Sequence, residues 1–320
     1  MTKFNFIYST IIDETKHVSY ILDSNVLIGL SKLYYNKFKD KDELDSYLDL
    51  YNYLSNKDVI SGPAIAELSW DYENHQVDMD KKNKLFTTID NLFINNKFQN
   101  VNNRSHHSKM SFTNLYDNAD ANHYLLPSLC LMKKFSILLN ERLENKETYE
   151  KLIVFINNEL KLTPAYELAL ITYFLFSPQN EWSNKLKKLF KIKSKYMIDD
   201  KNIWNGCWDI FFIRLVNELP SRNFSNETVS NIYNVCLITS DAALSDFSNN
   251  ILDRNKQSST YSHGLIMPCI DIDPKEFKLD DYDFIEKKYN ILSCSISERT
   301  NYLNSIDQVK HYKNLLKSLY

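Results

Sequence analysis

Glycine is scarce in this chain. Only Gly29, Gly62, Gly206 and Gly264 occur in 320 residues, which excludes the dinucleotide fingerprint and the phosphate-cradling P-loop, both built on clustered glycines. Few glycines also imply few tight hairpins and a mostly helical chain. A strong charge of either sign is missing: 38 Lys+Arg against 41 Asp+Glu gives a net −3, so the molecule as a whole is no cationic surface for nucleic acid. Long apolar runs are absent too, since Leu168 to Phe176 falls far short of the roughly 20 residues a membrane span needs. The opening Met1-Thr-Lys-Phe-Asn-Phe-Ile-Tyr has no long apolar stretch with a small-residue cleavage site, and no signal peptide is expected. The five cysteines, 130, 207, 236, 269 and 294, form no C-x-x-C pair and are expected to be reduced core thiols of a cytoplasmic protein. In that compartment the sequons at Asn223 and Asn226 are chance matches.

What is present is ordinary globular material, 43% hydrophobic and 25% charged, long enough for one enlarged domain or two. The chain is organised around Tyr20-Ile-Leu-Asp-Ser-Asn-Val-Leu-Ile-Gly29. It reads as a buried strand, Ser19 to Leu22, that ends in Asp23 and passes into a helix from about Asn25. A second helix is expected over Lys41–Leu54 and a short strand at Val59-Ile-Ser61. Gly62-Pro63 then starts a helix, because proline's fixed φ and missing N–H suit a first turn. Ala64 to Trp70 continues it and carries Glu67 on the side of Ala64 and Trp70. Strand, helices, strand, helix is the opening of an α/β layer fold.

From about 74 to 197 the spacing is helical, over Leu115–Leu143, Tyr149–Leu162 and Leu168–Phe176. A polar loop, Asn102 to Ser108, holds His106 and His107; these and His123 lack i,i+4 spacing and point to loop or packing roles. Lys185 to Lys195 carries six lysines and no acid, and Lys185, Lys187, Lys188, Lys191 and Lys195 are candidate RNA contacts, to be weighed against a solvated helix face. Trp204, Trp208, Phe211, Phe212, Leu215, Val216 and Leu219 recur at helical intervals, with Asp209 on the side of Phe212 and Val216. A carboxylate beside a buried stripe needs a hydrogen bond, a partner or a cation. Val235-Cys-Leu-Ile-Thr239 reads as a strand covered on both faces. Asp241 follows it as Asp23 follows the first strand. Leu265 to Ile270 is a candidate last strand, and two helices are expected from about Asp280.

The functional crevice of an open parallel sheet lies beyond the carboxyl ends of its strands. Asp23 and Asp241 at strand ends, with helical Glu67 and Asp209, make a set of hard oxygen ligands without histidine or cysteine. Such a set favours Mg²⁺ or Mn²⁺ over zinc. Taken singly, each acid reads first as a helix cap or a solvated charge.

Together these residues resemble the PIN domain of metal-dependent nucleases. Ile21-Leu-Asp-Ser-Asn25 looks like its first motif and Ile65-Ala-Glu-Leu68 its second. Asp209 resembles the third, and Leu237-Ile-Thr-Ser-Asp241 with Asp246-Phe247 the fourth. The resemblance implies a central parallel sheet flanked by helices, with residues 1–73 and 198–275 as its core; the helical spacing of 74–197 then reads as an all-helical insertion that departs from the family, and 276–320 as a helical C-terminal extension. It also implies Mg²⁺ or Mn²⁺ and endonucleolytic cleavage of RNA. Asp23, Glu67, Asp209 and Asp241 would be the metal and catalytic residues, Ser24, Asn25 and Thr239 would position them, and Asp246 is an outer candidate. The unusually long separation of Glu67 and Asp209 leaves room for an arm, lid or partner interface and leaves Asp199 and Asp200 open as alternatives to Asp209. A toxin or phage-defence effector, held by a protein inhibitor, fits such a chain; so do RNA processing, a structure-specific DNA nuclease, and a catalytically silent scaffold. A haloacid-dehalogenase-type phosphatase would need a second aspartate where Asn25 stands.

Overall fold

The computed structural model describes residues 4–9, 14–71, 76–93, 120–192, 198–218, 232–248 and 273–320. The candidate strand Leu265 to Ile270, the loop with His106 and His107, Cys269, both sequons and Lys195 lie outside them. The protein is α/β, with a small mixed sheet of four strands flanked by helices. By packing, the chain divides into two compact units, Met1–Asn118 with Phe212–Leu252 and Ala119–Phe211 with Asp253–Tyr320.

The first unit contains the sheet, in the order β1-β6-β2-β3. β2 (Val18–Leu22) lies parallel to β3 (Asp58–Ile60) and to β6 (Asn234–Thr239), with Ile21 opposite Ile60 and Leu22 opposite Ile238. All six residues of β6 are buried, as a strand covered on both faces requires. The expected central parallel sheet is mixed: β1 (Asn5–Tyr8) runs antiparallel along the outer edge of β6. Only Ile7 of this strand is buried, and four residues are too few to show a clear alternation.

Helix α1 (Ser24–Tyr34) follows β2 directly and buries Val26, Leu27, Leu30 and Leu33, the i, i+1, i+4, i+7 stripe of an amphipathic helix. It packs on α2 (Lys41–Leu54), on α3 (Gly62–Leu68) and on α4 (Met79–Phe93). Pro63 stands in the first turn of α3 as expected, but the helix stops at Leu68 rather than running on through Trp70. At its end Ser69 sends both its N–H, at 3.0 Å, and its Oγ, at 2.6 Å, to the Ile65 carbonyl. Trp70 instead enters a two-residue ribbon, β4 (Trp70–Asp71) against β5 (Gln76–Val77). After β6 the chain turns into α10 (residues 242–248).

The second unit is helical. It comprises α5 (Asp120–Asn140), α6 (Asn145–Phe155) with a π-helical turn at Ile156–Leu160, α7 (Ala165–Phe176), α8 (Glu181–Leu189) and most of α9 (Asp200–Glu218). Where two C-terminal helices were expected, three stand: α11 (Leu279–Cys294), α12 (Ile296–Asn304) and α13 (Gln308–Ser318). The extra break comes at Ser305 to Asp307, where Asp307 accepts from the Lys310 N–H and opens a new helix. α13 packs along α5, with Tyr312 fully buried. Cys130, Cys207 and Cys236 are buried and Cys294 is exposed, none of them in a disulfide.

Candidate carboxylate site

Three parallel strands deliver their carboxyl ends to one edge of the sheet. Strand order reverses at β2, because β3 lies to one side of it and β6 to the other. Asp23 leaves β2 at that switch point, the position at which open α/β sheets place their ligands. Its own N–H continues the ladder to the Ile238 carbonyl at 3.0 Å. Asp23 is buried, at 2% exposure.

The Asp23 carboxylate is held on both oxygens. Oδ1 accepts from the Asn25 N–H at 3.3 Å and from Ser24 Oγ at 3.2 Å, capping α1; Oδ2 accepts from Thr239 Oγ1 at 2.6 Å. Thr239 in turn accepts the Asp241 N–H at 2.9 Å. One hydroxyl thus ties the end of β6 to the acid at the end of β2. Asp241 Oδ1 accepts from the Ala243 and Leu244 N–H groups at 2.7 and 3.1 Å and caps α10.

Glu67 rises from α3 toward the same edge. The residue keeps some exposure, yet its Oε2 is sealed from solvent and has no hydrogen-bond partner among the described residues. Buried polar atoms of this kind are few in native structures and each asks for a partner not yet named. Burial foremost, and then the negative charge of Asp23, push the Glu67 carboxyl up from 4.5 to about 8, against a lowering hydrogen bond from Ser24. Burial also raises Asp23; Thr239, Asn25 and Ser24 oppose that rise, and Asp241 adds to it. Two buried acids within each other's field cannot both ionise cheaply.

Asp23, Glu67 and Asp241 all belong to the first unit, where Asp23 acts on Glu67 and Asp241 acts on Asp23. Asp209 stands half-buried on α9 within the second unit. Asp246 is exposed on α10, and the Asn25 side chain is exposed while its backbone serves the cap. Lys185 is buried, with Nζ 2.9 Å from Glu181 and over the Trp182 ring, so its charge is spent inside the second unit. Lys187 donates to the Pro178 carbonyl at 3.1 Å, whereas Lys188 and Lys191 are exposed. Ser61, at the end of β3, was not anticipated; its buried Oγ has no partner among the described residues.

Among the described residues, no three His, Cys, Asp or Glu side chains converge closely enough to enclose a metal ion. Mg²⁺ does not ask for such a cage: it keeps several waters and is commonly held by one or two carboxylates together with substrate phosphates. The unpartnered Glu67 Oε2 beside a hydrogen-bonded Asp23 fits a hard cation on those terms. The chain matches no family model, no curated protein and no solved structure.

Proposed function

We propose that this chain is a Mg²⁺- or Mn²⁺-dependent endoribonuclease of PIN-like kind, with its site at the carboxyl edge of β3, β2 and β6. The observation that carries the reading is the Asp23–Glu67 pair, whose sealed Glu67 Oε2 has no partner among the described residues. When bound there, Mg²⁺ or Mn²⁺ would lower the pKa of an attacking water and stabilise the leaving oxygen. Asp23 offers a carboxylate already fixed by Ser24, Asn25 and Thr239. Glu67 gives up its proton to take part, so cation binding releases a proton. Asp241 presents Oδ2, since both capping bonds fall on Oδ1. In this reading the exposed Lys188 and Lys191 are the candidate contacts to an RNA backbone; they and Asp209 belong to the second unit.

No helix among the described residues is long and apolar enough to cross a membrane. We place the activity in the cytoplasm, where a toxin or phage-defence role under a protein inhibitor suits it.

The test is calorimetric titration of Mn²⁺ into wild type and Asp23→Asn, followed by incubation of each with single-stranded and structured RNA and with matched DNA. Binding and RNA cleavage lost together in the variant support the proposal. Cleavage confined to DNA would transfer the same carboxylates to a DNA nuclease. Intact nucleic acid at high protein concentration, with tight RNA or protein binding, would leave a silent scaffold.

A further inference from the structure

Helix α1 carries a glycine in the middle of an apolar stripe, where a glycine ordinarily costs stability. The cause is Tyr47 of α2. A Cβ built on Gly29 would meet the Tyr47 ring carbons Cζ and Cε1 at 1.9 and 2.1 Å and its hydroxyl at 2.3 Å. Gly29 is therefore a slot, and the Tyr47 ring fills it. The ring is 4% exposed, edge-on to Phe4 at 5.0 Å and stacked on Phe38 at 5.2 Å. Its hydroxyl reaches the Asn25 carbonyl at 3.4 Å, too long to hold the ring by itself. Packing does the holding, and the hydroxyl ends beside the turn that Asp23 caps.

We infer that Tyr47 is a positioning residue: seated in the Gly29 slot, its ring fixes the first turn of α1 and so sets the place of the Asp23 carboxylate. The inference rests on Asp23 belonging to the functional site. The Asn25 N–H is the natural reporter, since it donates to Asp23 Oδ1. Tyr51, one turn further along α2, provides the control. It is equally buried, but its hydroxyl donates to the Leu92 carbonyl and its ring lies against Phe93.

The experiment compares Tyr47→Phe, Tyr47→Leu and Tyr51→Leu by amide hydrogen exchange across residues 23–27, by thermal unfolding, and by RNA cleavage with Mn²⁺. Tyr47→Leu should speed exchange at Asn25 by about tenfold and lower kcat by at least about tenfold with KM nearly unchanged, the signature of a misplaced reacting group. Tyr47→Phe, which keeps the ring, should stay near wild type in both. Tyr51→Leu should lose comparable stability while exchange at Asn25 and kcat hold. Equal acceleration in the two leucine variants, or none in Tyr47→Leu, overturns the inference. Should wild type neither bind Mn²⁺ nor cleave RNA, the nuclease reading falls, and the exchange contrast still decides whether Tyr47 places Asp23.

Discussion

Replacing Glu67 by glutamine removes the ionisable group while keeping its shape, and the consequence for stability can be worked out. The carboxyl is raised from 4.5 to about 8 in the folded chain, so between those values the native state holds a proton that the unfolded state has lost. Stability then falls as pH rises through this window, at up to about 1.4 kcal/mol per pH unit for one group. Over the 3.5 units from 4.5 to 8 the loss is about 5 kcal/mol for a rigid, dry site, and about half that once water and side chains adjust to the ionised form. Burial raises Asp23 as well, and its contribution has the same sign and survives in the variant. Urea unfolding of wild type and Glu67→Gln at pH 5, 6, 7 and 8 in chelator should show the wild-type curve descending more steeply, with the variant the more stable protein at pH 8. Added Mn²⁺ should flatten or reverse the wild-type descent, because the cation binds the ionised form and adds RT ln(1 + [L]/Kd). Parallel curves for the two proteins would refute the reasoning, since Glu67 would then be no more protonated in the folded state than in the unfolded one.

Asp241 separates capping from ligation: Asp241→Asn should unfold within a few tenths of a kcal/mol of wild type, because asparagine caps as well as aspartate, yet lose most Mn²⁺ affinity, whereas Asp241→Ala should also lose about 1 kcal/mol in denaturant titration. Thr239→Val removes the hydroxyl that joins Asp23 Oδ2 to the Asp241 N–H and should cost about 1–3 kcal/mol by the same assay, with weaker Mn²⁺ binding. Gly29→Ala forces a methyl into the Tyr47 ring and should destabilise by about 1–3 kcal/mol or more. Combining it with Tyr47→Leu should recover part of that loss in thermal unfolding.

The elements that could be read from residues alone are those whose burial is complete or whose stripe is long. β6 announces itself as a continuous apolar run, and α2 spans Lys41–Leu54 as its spacing predicts. β1 could not be read in the same way, because an edge strand buries one face and here only Ile7 is fully covered. The end of α3 falls at Ser69, where the chain leaves the helix for the β4–β5 ribbon, and apolar spacing does not mark it. Lysine 185 misled for a different reason. Its window from Lys185 to Lys195 contains no acid, but Glu181 sits one helical turn earlier and takes the charge. The common edge of Asp23 and Asp241 was legible because acids that follow parallel strands are delivered to one edge; Glu67 comes within the field of Asp23 from helix α3 instead. What no spacing could show is that one Glu67 oxygen would be buried without a partner, since that depends on packing from all sides.

Whether an aspartate at a strand end is a cap or a ligand is not an either-or question. An ionised carboxylate offers about four acceptor sites. Asp23 commits three, two on Oδ1 and one on Oδ2; each of these bonds steadies the charged form. Asp241 commits two, both on Oδ1. Capping therefore orients these acids at the start of helices α1 and α10 and leaves acceptor capacity facing the edge. Glu67 has the opposite character: it caps nothing, its buried oxygen is unsupported, and its proton stays on near neutrality. An acid held this way is costly to a fold that has no use for it, because glutamine or leucine would bury more cheaply in the same helix. A fixed Asp23 beside a Glu67 whose Oε2 finds no partner among the described residues is the pairing that a hard cation, with its waters and a phosphate, would complete.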